Sequence, residues 1–188
     1  MDIASLGVDP QHVALAQVVL EIELEAAKNG WDLPATAYAL VPSKDLLAEG
    51  EELLPNLREQ LETQVAANSE HLTAVAQPDL NLADLEETLA QLAWPEQVAG
   101  MAVCLERVSV PPQAEAEAPE DPQAALEFYA NHPDREEFRL VAGATRTGKT
   151  WCALRSRKLD NPDSVAQGSD MFPDLTEALL ATFAPDEA

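Results

Sequence analysis

Residues 143–150, GATRTGKT, contain the side chains that hold nucleotide phosphates in other proteins. The segment fits the phosphate-loop pattern G-x-x-x-x-G-K-[ST] at every fixed position. In that motif the N–H groups at the start of a helix hold the phosphates, the lysine contacts the β and γ oxygens, and the Ser or Thr hydroxyl binds magnesium. The chemistry therefore requires a helix that begins directly after the loop.

The residues after the motif predict a β-strand instead of that helix. In WCALRSR, residues 151–157, two sets of side chains alternate with the period of a strand. Pro162 ends the run before a helix could develop, and few residues follow Thr150 for the further strands and the magnesium-binding aspartate of phosphate-loop enzymes. Because FRLVAGAT before the turn is also strand-like, we predict a β-hairpin in which Gly148 takes a positive φ.

The region around this hairpin is basic in an otherwise acidic chain. Seven of the eleven basic side chains fall between residues 135 and 158. One interpretation is that they pair with acidic helices of the same chain. The other is a recognition surface for an acidic partner or a small anion, because Arg and Trp are common in binding hot spots. The residues of this candidate interaction patch are Arg146, Trp151, Arg155 and Arg157. On the second interpretation, reversing Arg155 and Arg157 to Glu costs little stability and much binding.

Other constellations that could carry chemistry are weak, and we predict no catalytic, cofactor-binding or metal-ligating residue. The two cysteines, Cys104 and Cys152, are not in a metal-ligand spacing, and the three histidines are far apart in sequence. No Ser or Cys has a recognisable base partner. We expect both cysteines to be unpaired and buried, each in a strand. Glu106 and Arg107 are interpreted as a structural ion pair or as part of a site.

Composition favours a protein partner over other kinds of partner. The chain has 188 residues, is 46% hydrophobic and carries a formal charge of −23. Such a charge repels nucleic acid and anionic membranes, and no apolar run approaches the roughly 20 residues of a transmembrane helix. The first residues lack the basic and then apolar stretches of a signal peptide, so we expect a cytoplasmic location. The sequence leaves a homodimer open.

The predicted elements define an α+β fold. Asp9 and Pro10 predict the start of a helix that ends near residues 29–30, with Glu21, Glu23 and Glu25 in solvent. This helix has two apolar stripes: the first consists of Leu15, Val18, Ile22 and Ala26, and the second of Val13, Leu20, Leu24 and Ala27. Strands are predicted at 35–42 and 98–111 and in the hairpin at 138–158. Helices are predicted at 43–64, broken at Gly50 and Pro55, at 81–95 with Asn81 as its cap, at 122–133 and at the C-terminus.

We therefore predict a single domain, residues 1–188, with a mostly antiparallel sheet of about four strands, including a C-terminal hairpin, packed by several helices. A Pro/Ala/Glu-rich linker or loop is expected to be exposed at about 111–122.

Two stretches also resemble a known family. AWPEQVAGMAVCLERVSVPP and the segment from RLVAGATRTGKT to the last helix are similar to an uncharacterised family of small acidic actinobacterial proteins. The residues that carry the resemblance are Trp94, Pro95, Val98, Gly100, Ala102, Glu106, Arg107, Gly143, Arg146, Gly148, Arg155 and Arg157. The resemblance implies no activity and no cofactor. It also implies that GKT departs from the family's pattern at this loop, which favours a turn.

Two hypotheses of function follow. The first is a non-enzymatic cytoplasmic protein-interaction protein, an adaptor or chaperone-like protein with no cofactor. The alternative is a nucleotide- or anion-binding enzyme that uses Arg146, Lys149 and Thr150 of the GATRTGKT loop. The secondary structure of residues 151–158 discriminates between them, because a strand favours the first hypothesis and a helix favours the second.

Overall fold

The computed structural model describes residues 7–49 and 53–184, and within them the chain forms seven α-helices and six β-strands. In chain order the elements are α1 (Pro10–Lys28), β1 (Thr36–Pro42), α2 (Ser43–Glu49), α3 (Pro55–Ala67), β2 (Leu72–Ala76), α4 (Leu85–Gln91), β3 (Gly100–Ser109), α5 (Pro112–Glu115), α6 (Pro122–Asn131), β4 (Glu136–Thr145), β5 (Thr150–Ser156), β6 (Ala166–Gly168) and α7 (Pro173–Ala181). A short 3-10 helix, Pro162–Ser164, lies between β5 and β6.

The six strands form one antiparallel sheet in the order β2-β1-β3-β4-β5-β6. The α+β class and the C-terminal hairpin, β4–β5, are confirmed. The expected count of about four strands was too low, because β2 and β6 were not predicted. Both lie at the edges of the sheet, where β2 has five residues and β6 has three. Strands this short give little periodicity in the sequence.

Helices cover both faces of the sheet and enclose two cores. On one face α1 packs over the central strands, and Leu15, Val18 and Ile22 contact the apolar side chains beneath them. On the other face α4 and α7 cover side chains of β3, β4 and β5, with Leu89 and Leu179 buried. The sheet therefore separates two hydrophobic cores, and different helices cover each of them.

The start and the buried stripe of α1 agree with the sequence prediction. Asp9 caps the helix through a 3.0 Å hydrogen bond from the Gln11 N–H, and Pro10 is its first residue. The helix ends at Lys28, before Gly30 with a φ of 86°. The second predicted apolar stripe of α1 is incompletely covered, since the Leu24 side chain is 37% exposed. This stripe forms a wall of the groove described below.

The remaining helices differ from prediction mainly at their ends. The broken helix at 43–64 consists of α2 and α3, and Pro55 begins α3; Gly50 lies outside the described residues. Helix α4 begins at Leu85 because Asp84, and not Asn81, caps it through a 3.0 Å bond from the Glu87 N–H. The segment at 111–122 contains the one-turn helix α5 and is mostly exposed, although Ala114 is buried.

Both cysteines lie where the sequence predicted them. Cys104 is in β3, Cys152 is in β5, and both are free and buried. Burial raises the pKa of each thiol to about 11. Since the thiolate is the reactive form, the folded protein is expected to react slowly with iodoacetamide at pH 8. Mass spectrometry should show two rapidly labelled thiols in urea and little labelling without it; rapid labelling of the folded chain would contradict the buried placement.

Candidate functional site

The GATRTGKT segment is the turn of the β4–β5 hairpin. The Thr145 N–H donates to the Lys149 carbonyl at 2.9 Å, and the Gly148 N–H donates to the Thr145 carbonyl at 2.9 Å. Gly148 has a φ of 87°, as predicted for the turn. The chain continues from Thr150 into β5, so the helix that a phosphate loop requires is replaced by a strand.

The polar side chains of the motif make contacts within the fold. The Arg146 guanidinium donates hydrogen bonds to the backbone carbonyls of Trp94, Pro95 and Val98 and lies over the Phe183 ring. Lys149 Nζ lies 2.6 Å from Asp9 Oδ2, and Thr150 Oγ1 donates to the Ser169 carbonyl. Arg146 therefore ties the hairpin to the loop before β3, and Lys149 ties it to the start of α1.

The first glycine of the motif is required by packing. A Cβ atom at Gly143 would lie 2.7 Å from Val19 Cγ2 and 3.1 Å from Leu15 Cδ1. Both of these side chains belong to α1, which crosses β4 at this point. Gly143 and Gly148 are thus needed for close helix packing and for the turn, respectively, and neither requirement involves a phosphate.

These contacts predict that the protein does not bind nucleotides at this loop. We expect calorimetric titration with magnesium-ATP or magnesium-GTP to show no affinity stronger than about millimolar, because no helix N-terminus meets the phosphates. Lys149→Ala is expected to change the free energy of unfolding by about 0–1 kcal/mol, as its ion pair is partly exposed. Micromolar binding that Lys149→Ala abolishes would contradict this prediction.

Three buried charges link α1 to the sheet. Glu23 is fully buried and binds Arg155 through two hydrogen bonds, from Nε at 2.5 Å and from Nη2 at 2.8 Å. The bond with Glu23 raises the pKa of Arg155. Arg139 Nη1 lies 3.9 Å from the same carboxylate. The prediction that Glu23 lies in solvent with Glu21 and Glu25 was therefore wrong, because Glu23 is on the buried stripe of α1.

Arg139 extends this buried network to the end of β3. Its Nη2 donates to Glu106 Oε1 at 3.0 Å and also to the Gly30 carbonyl, and its guanidinium carbon lies 4.5 Å from the centre of the Trp31 ring. Glu106 therefore forms its ion pair with Arg139. The interpretation of Glu106 and Arg107 as a structural ion pair was wrong. Arg139 Nε and Nη1 have no hydrogen-bond partner among the described residues. The network is enclosed between α1 and the sheet, so we assign it to the stability of the fold.

The four residues of the candidate interaction patch do not form one surface. Arg155 is 2% exposed beneath α1, Trp151 packs edge-on against His12 of α1, and Arg146 binds backbone carbonyls at the far end of the hairpin. Arg157 is partly exposed and is held by Asp32 at 2.8 Å and Glu137 at 2.6 Å, which raise its pKa. A role of these residues in binding stays a prediction.

The burial of Arg155 increases the loss of stability that is expected for the Arg155→Glu, Arg157→Glu double variant. A small loss of stability was predicted for exposed ion pairs. Because Arg155 is buried against Glu23, a glutamate at position 155 would bury two like charges side by side. A loss of binding in that variant would therefore not separate docking from folding.

One serine and one histidine form a pair that the sequence did not reveal. Ser43 Oγ lies 2.7 Å from His71 Nδ1 and 2.7 Å from Thr73 Oγ1. Ser43 and His71 are far apart in sequence, and β2, which begins at Leu72 directly after His71, was not predicted. Ser43 is fully buried, so its hydroxyl is not accessible to a substrate. Burial also lowers the pKa of His71. We interpret the pair as a structural connection between α2 and β2.

Two clefts lie between helices, one on each face of the sheet. The first, of about 750 Å³, lies between α4 and α7 over β3 and β4. Leu105, Leu140 and Phe138 form its floor, and Asp84, Glu86, Asp174 and Arg107 line its rim.

The second cleft, here called the α1–α3 groove, has a volume of about 930 Å³. Its walls are the second half of α1 and one side of α3, and side chains of β1 and β2 form its floor. Arg155, Asp160 and Pro162 also line the groove. Leu24 on one wall is 37% exposed and Leu57 on the other is 39% exposed. No large exposed apolar side chain lines the α4–α7 cleft in the described part of the chain. The α1–α3 groove is therefore the better candidate for a binding surface.

Further kinds of site find no support in the parts of the chain that the structure covers. Among residues 7–49 and 53–184, no three His, Cys, Asp or Glu side chains are grouped so that they could hold a metal ion. No helix in the same ranges is both long enough and apolar enough to cross a bilayer.

Fold and contacts together define an α+β protein built on a six-stranded antiparallel sheet with an open groove beside α1. The chain belongs to the PPA1309-like protein family, whose model matches residues 15–184. The resemblance to an uncharacterised family is thereby confirmed. A search of curated proteins found no match, and a search of solved structures found none either. The family description names no activity.

Proposed function

We propose that this protein is a non-enzymatic interaction protein of the adaptor or chaperone-like kind, which holds a segment of a protein partner in the α1–α3 groove. The observation that carries the proposal is the groove itself, in which apolar side chains on two helices and two strands remain open to water. Fully burying an exposed leucine side chain contributes about 1.5–3 kcal/mol, and Leu24 and Leu57 are 37% and 39% exposed, so covering what remains of both contributes roughly 1–2 kcal/mol to binding.

The contacts of the polar side chains in the GATRTGKT loop support a role without catalysis. Arg146, Lys149 and Thr150, which the alternative nucleotide- or anion-binding hypothesis requires, are all bound within the fold. The proposal includes a cytoplasmic location, which two unpaired buried cysteines favour.

Capture of partners by the tagged protein from a lysate of its native host tests this function. The double variant Leu24→Gln, Leu57→Gln makes both walls of the groove polar without adding charge. Leu126→Gln on α6 is the matched control, because Leu126 is 64% exposed and lies outside the groove. Urea unfolding of each variant establishes that the fold is intact.

We expect one or more proteins to be retained by the wild type and by Leu126→Gln and to be lost from the double variant. Equal retention by all three proteins would show that the groove is not the binding surface. Loss of the same proteins in Ala90→Glu, which changes the rim of the α4–α7 cleft instead, would move the site to the other face of the sheet.

A further inference from the structure

We propose that the occupant of the α1–α3 groove is an amphipathic helix with a basic side chain at the edge of its apolar face, which pairs with Glu21. This inference rests on the proposed function and adds the chemical class of the partner segment. Three features of the groove lead to it: the conformation that its floor allows, the apolar side chains of its walls, and the charge that it leaves unpaired.

The floor of the groove favours a helix over an extended segment. It consists of the face of the sheet, with the side chains of Tyr38 on β1 and of Leu72 and Ala74 on the edge strand β2. An extended segment laid on a sheet face finds no backbone groups to bond with, whereas a helix satisfies its own N–H and C=O groups. The groove also lies between two helices on the same face, which is the arrangement of helix-in-groove recognition.

The walls provide an apolar stripe of the kind that such a helix contacts. Ile22 and Leu24 lie on α1, and Leu57 and Leu61 lie on α3. Leu61 and Ile22 are buried, while Leu24 and Leu57 are more than one third exposed, so the upper part of each wall lacks a packing partner. Apolar residues at positions i, i+3, i+4 and i+7 of a docked helix would cover them.

Glu21 gives the groove an unneutralised negative charge. Three carboxylates line the groove in the described structure, and two of them have cations: Glu25 pairs with Lys28 at 2.6 Å, and Asp160 lies 3.7 Å from Arg155. Glu21 has no ion pair or hydrogen bond with any described residue. Although Glu21 is exposed to solvent, partial desolvation raises its pKa. A Lys or Arg of the partner would supply the missing cation.

Charge also argues against a second copy of this chain as the occupant. Each chain carries a formal charge of −23, so two copies repel one another. Helix α6, which exposes Leu126, contains no Lys or Arg in its sequence PQAALEFYAN and could not pair with Glu21. The same net charge attracts a basic segment and speeds its encounter with the groove.

Synthetic peptides test the partner class with the full-length protein. The probe is a fluorescent helix of about 15–18 residues with leucine on one face and lysine on the other, long enough to form helix on binding. Two controls accompany it: the same peptide with glutamate in place of lysine, and a scrambled peptide of identical composition. Fluorescence anisotropy at 150 mM salt, about the physiological ionic strength, gives each dissociation constant.

We expect the leucine–lysine helix to bind at least about tenfold more tightly than either control. Leu24→Gln with Leu57→Gln is expected to weaken that binding at least about tenfold. Glu21→Gln is expected to weaken it several-fold, whereas Glu62→Gln, which removes the same charge from α3 outside the groove, leaves it unchanged. Equal binding of the scrambled peptide, or equal losses in Glu21→Gln and Glu62→Gln, would overturn the inference in favour of non-specific attraction.

The outcomes also separate this inference from the proposed function. Preference for the leucine–glutamate helix would overturn the basic-partner assignment and favour the acidic partner that the basic hairpin first indicated. If the basic helix does not bind while the double leucine variant still fails to retain host proteins, the proposed function is supported and the assigned partner class is wrong. If the double leucine variant binds the basic helix and retains host proteins as the wild type does, the proposed function and the partner class are both wrong.

Discussion

Replacing Glu23 by glutamine is expected to lower the free energy of unfolding by about 3–5 kcal/mol. Glutamine keeps the shape of the side chain but removes the carboxylate that binds Arg155 and faces Arg139. Arg139 is fully buried and Arg155 is 2% exposed, so the uncompensated positive charge would remain out of water. Urea unfolding followed by circular dichroism measures the change.

Glu25→Gln is the matched control for this effect. Glu25 lies on the same helix, and its pair with Lys28 is exposed, with 68% and 71% of the two side chains accessible. Such a pair contributes about 0–1 kcal/mol, so the unfolding midpoint should scarcely move. Equal midpoints for Glu23→Gln and Glu25→Gln would show that the buried pair does not stabilise α1 on the sheet.

Gly143→Ala is expected to destabilise the protein by about 1–3 kcal/mol through overpacking. The new methyl group would lie 2.7 Å from Val19 Cγ2 and 3.1 Å from Leu15 Cδ1. Valine in a helix has one strongly preferred rotamer, so α1 itself would have to shift away from β4. The same unfolding experiment measures the loss.

A double-mutant cycle separates this clash from other effects of the substitution. Val19→Ala removes the clashing methyl group, so the loss in the double variant should be smaller than the sum of the two single losses. Gly148→Ala is the control: its position has a φ of 87° and no atom within 4 Å, so its cost of about 1–2 kcal/mol is conformational and should add to that of Val19→Ala. Additive losses for Gly143→Ala would contradict the packing role of this glycine.

Local pattern was sufficient to predict the elements that form the middle of the fold. Asp9 and Pro10 define the start of α1 by a backbone hydrogen bond and a fixed φ, which depend on neighbouring residues only. The period-two pattern after Thr150 likewise separated a hairpin from a phosphate loop. The edge strands were missed because β6 is three residues long and β2 is half exposed, so neither shows a clear hydrophobic alternation.

The buried ion pair between Glu23 and Arg155 could have been predicted from the spacing of these residues, but the many acidic side chains of the chain favoured a different interpretation. Glu23 follows Val19 by four residues and precedes Ala26 by three, which is the spacing of the buried stripe on α1. Arg155 occupies an inward position of β5, beside the buried Ala153. Opposite charges on two inward faces predict a buried pair, but a chain with 34 acidic side chains suggested that every glutamate of α1 was solvated.

The α1–α3 groove was beyond sequence prediction for a different reason. It depends on the distance between α1 and α3, which pack against different elements and do not determine one another's position through local sequence. The second apolar stripe of α1 was visible as a pattern. Whether another part of the chain covers Leu24 is a property of tertiary structure alone.

Hydrogen–deuterium exchange of the chain, alone and in complex with a partner captured from the host, tests the central claim most directly. We predict slower exchange in the complex at residues 21–28, 57–64 and 71–74, which form the walls and floor of the α1–α3 groove, and unchanged exchange at residues 143–150. Slower exchange confined to residues 143–150, or to α4 and α7, would contradict the account, because it would assign binding to the hairpin turn or to the opposite face of the sheet.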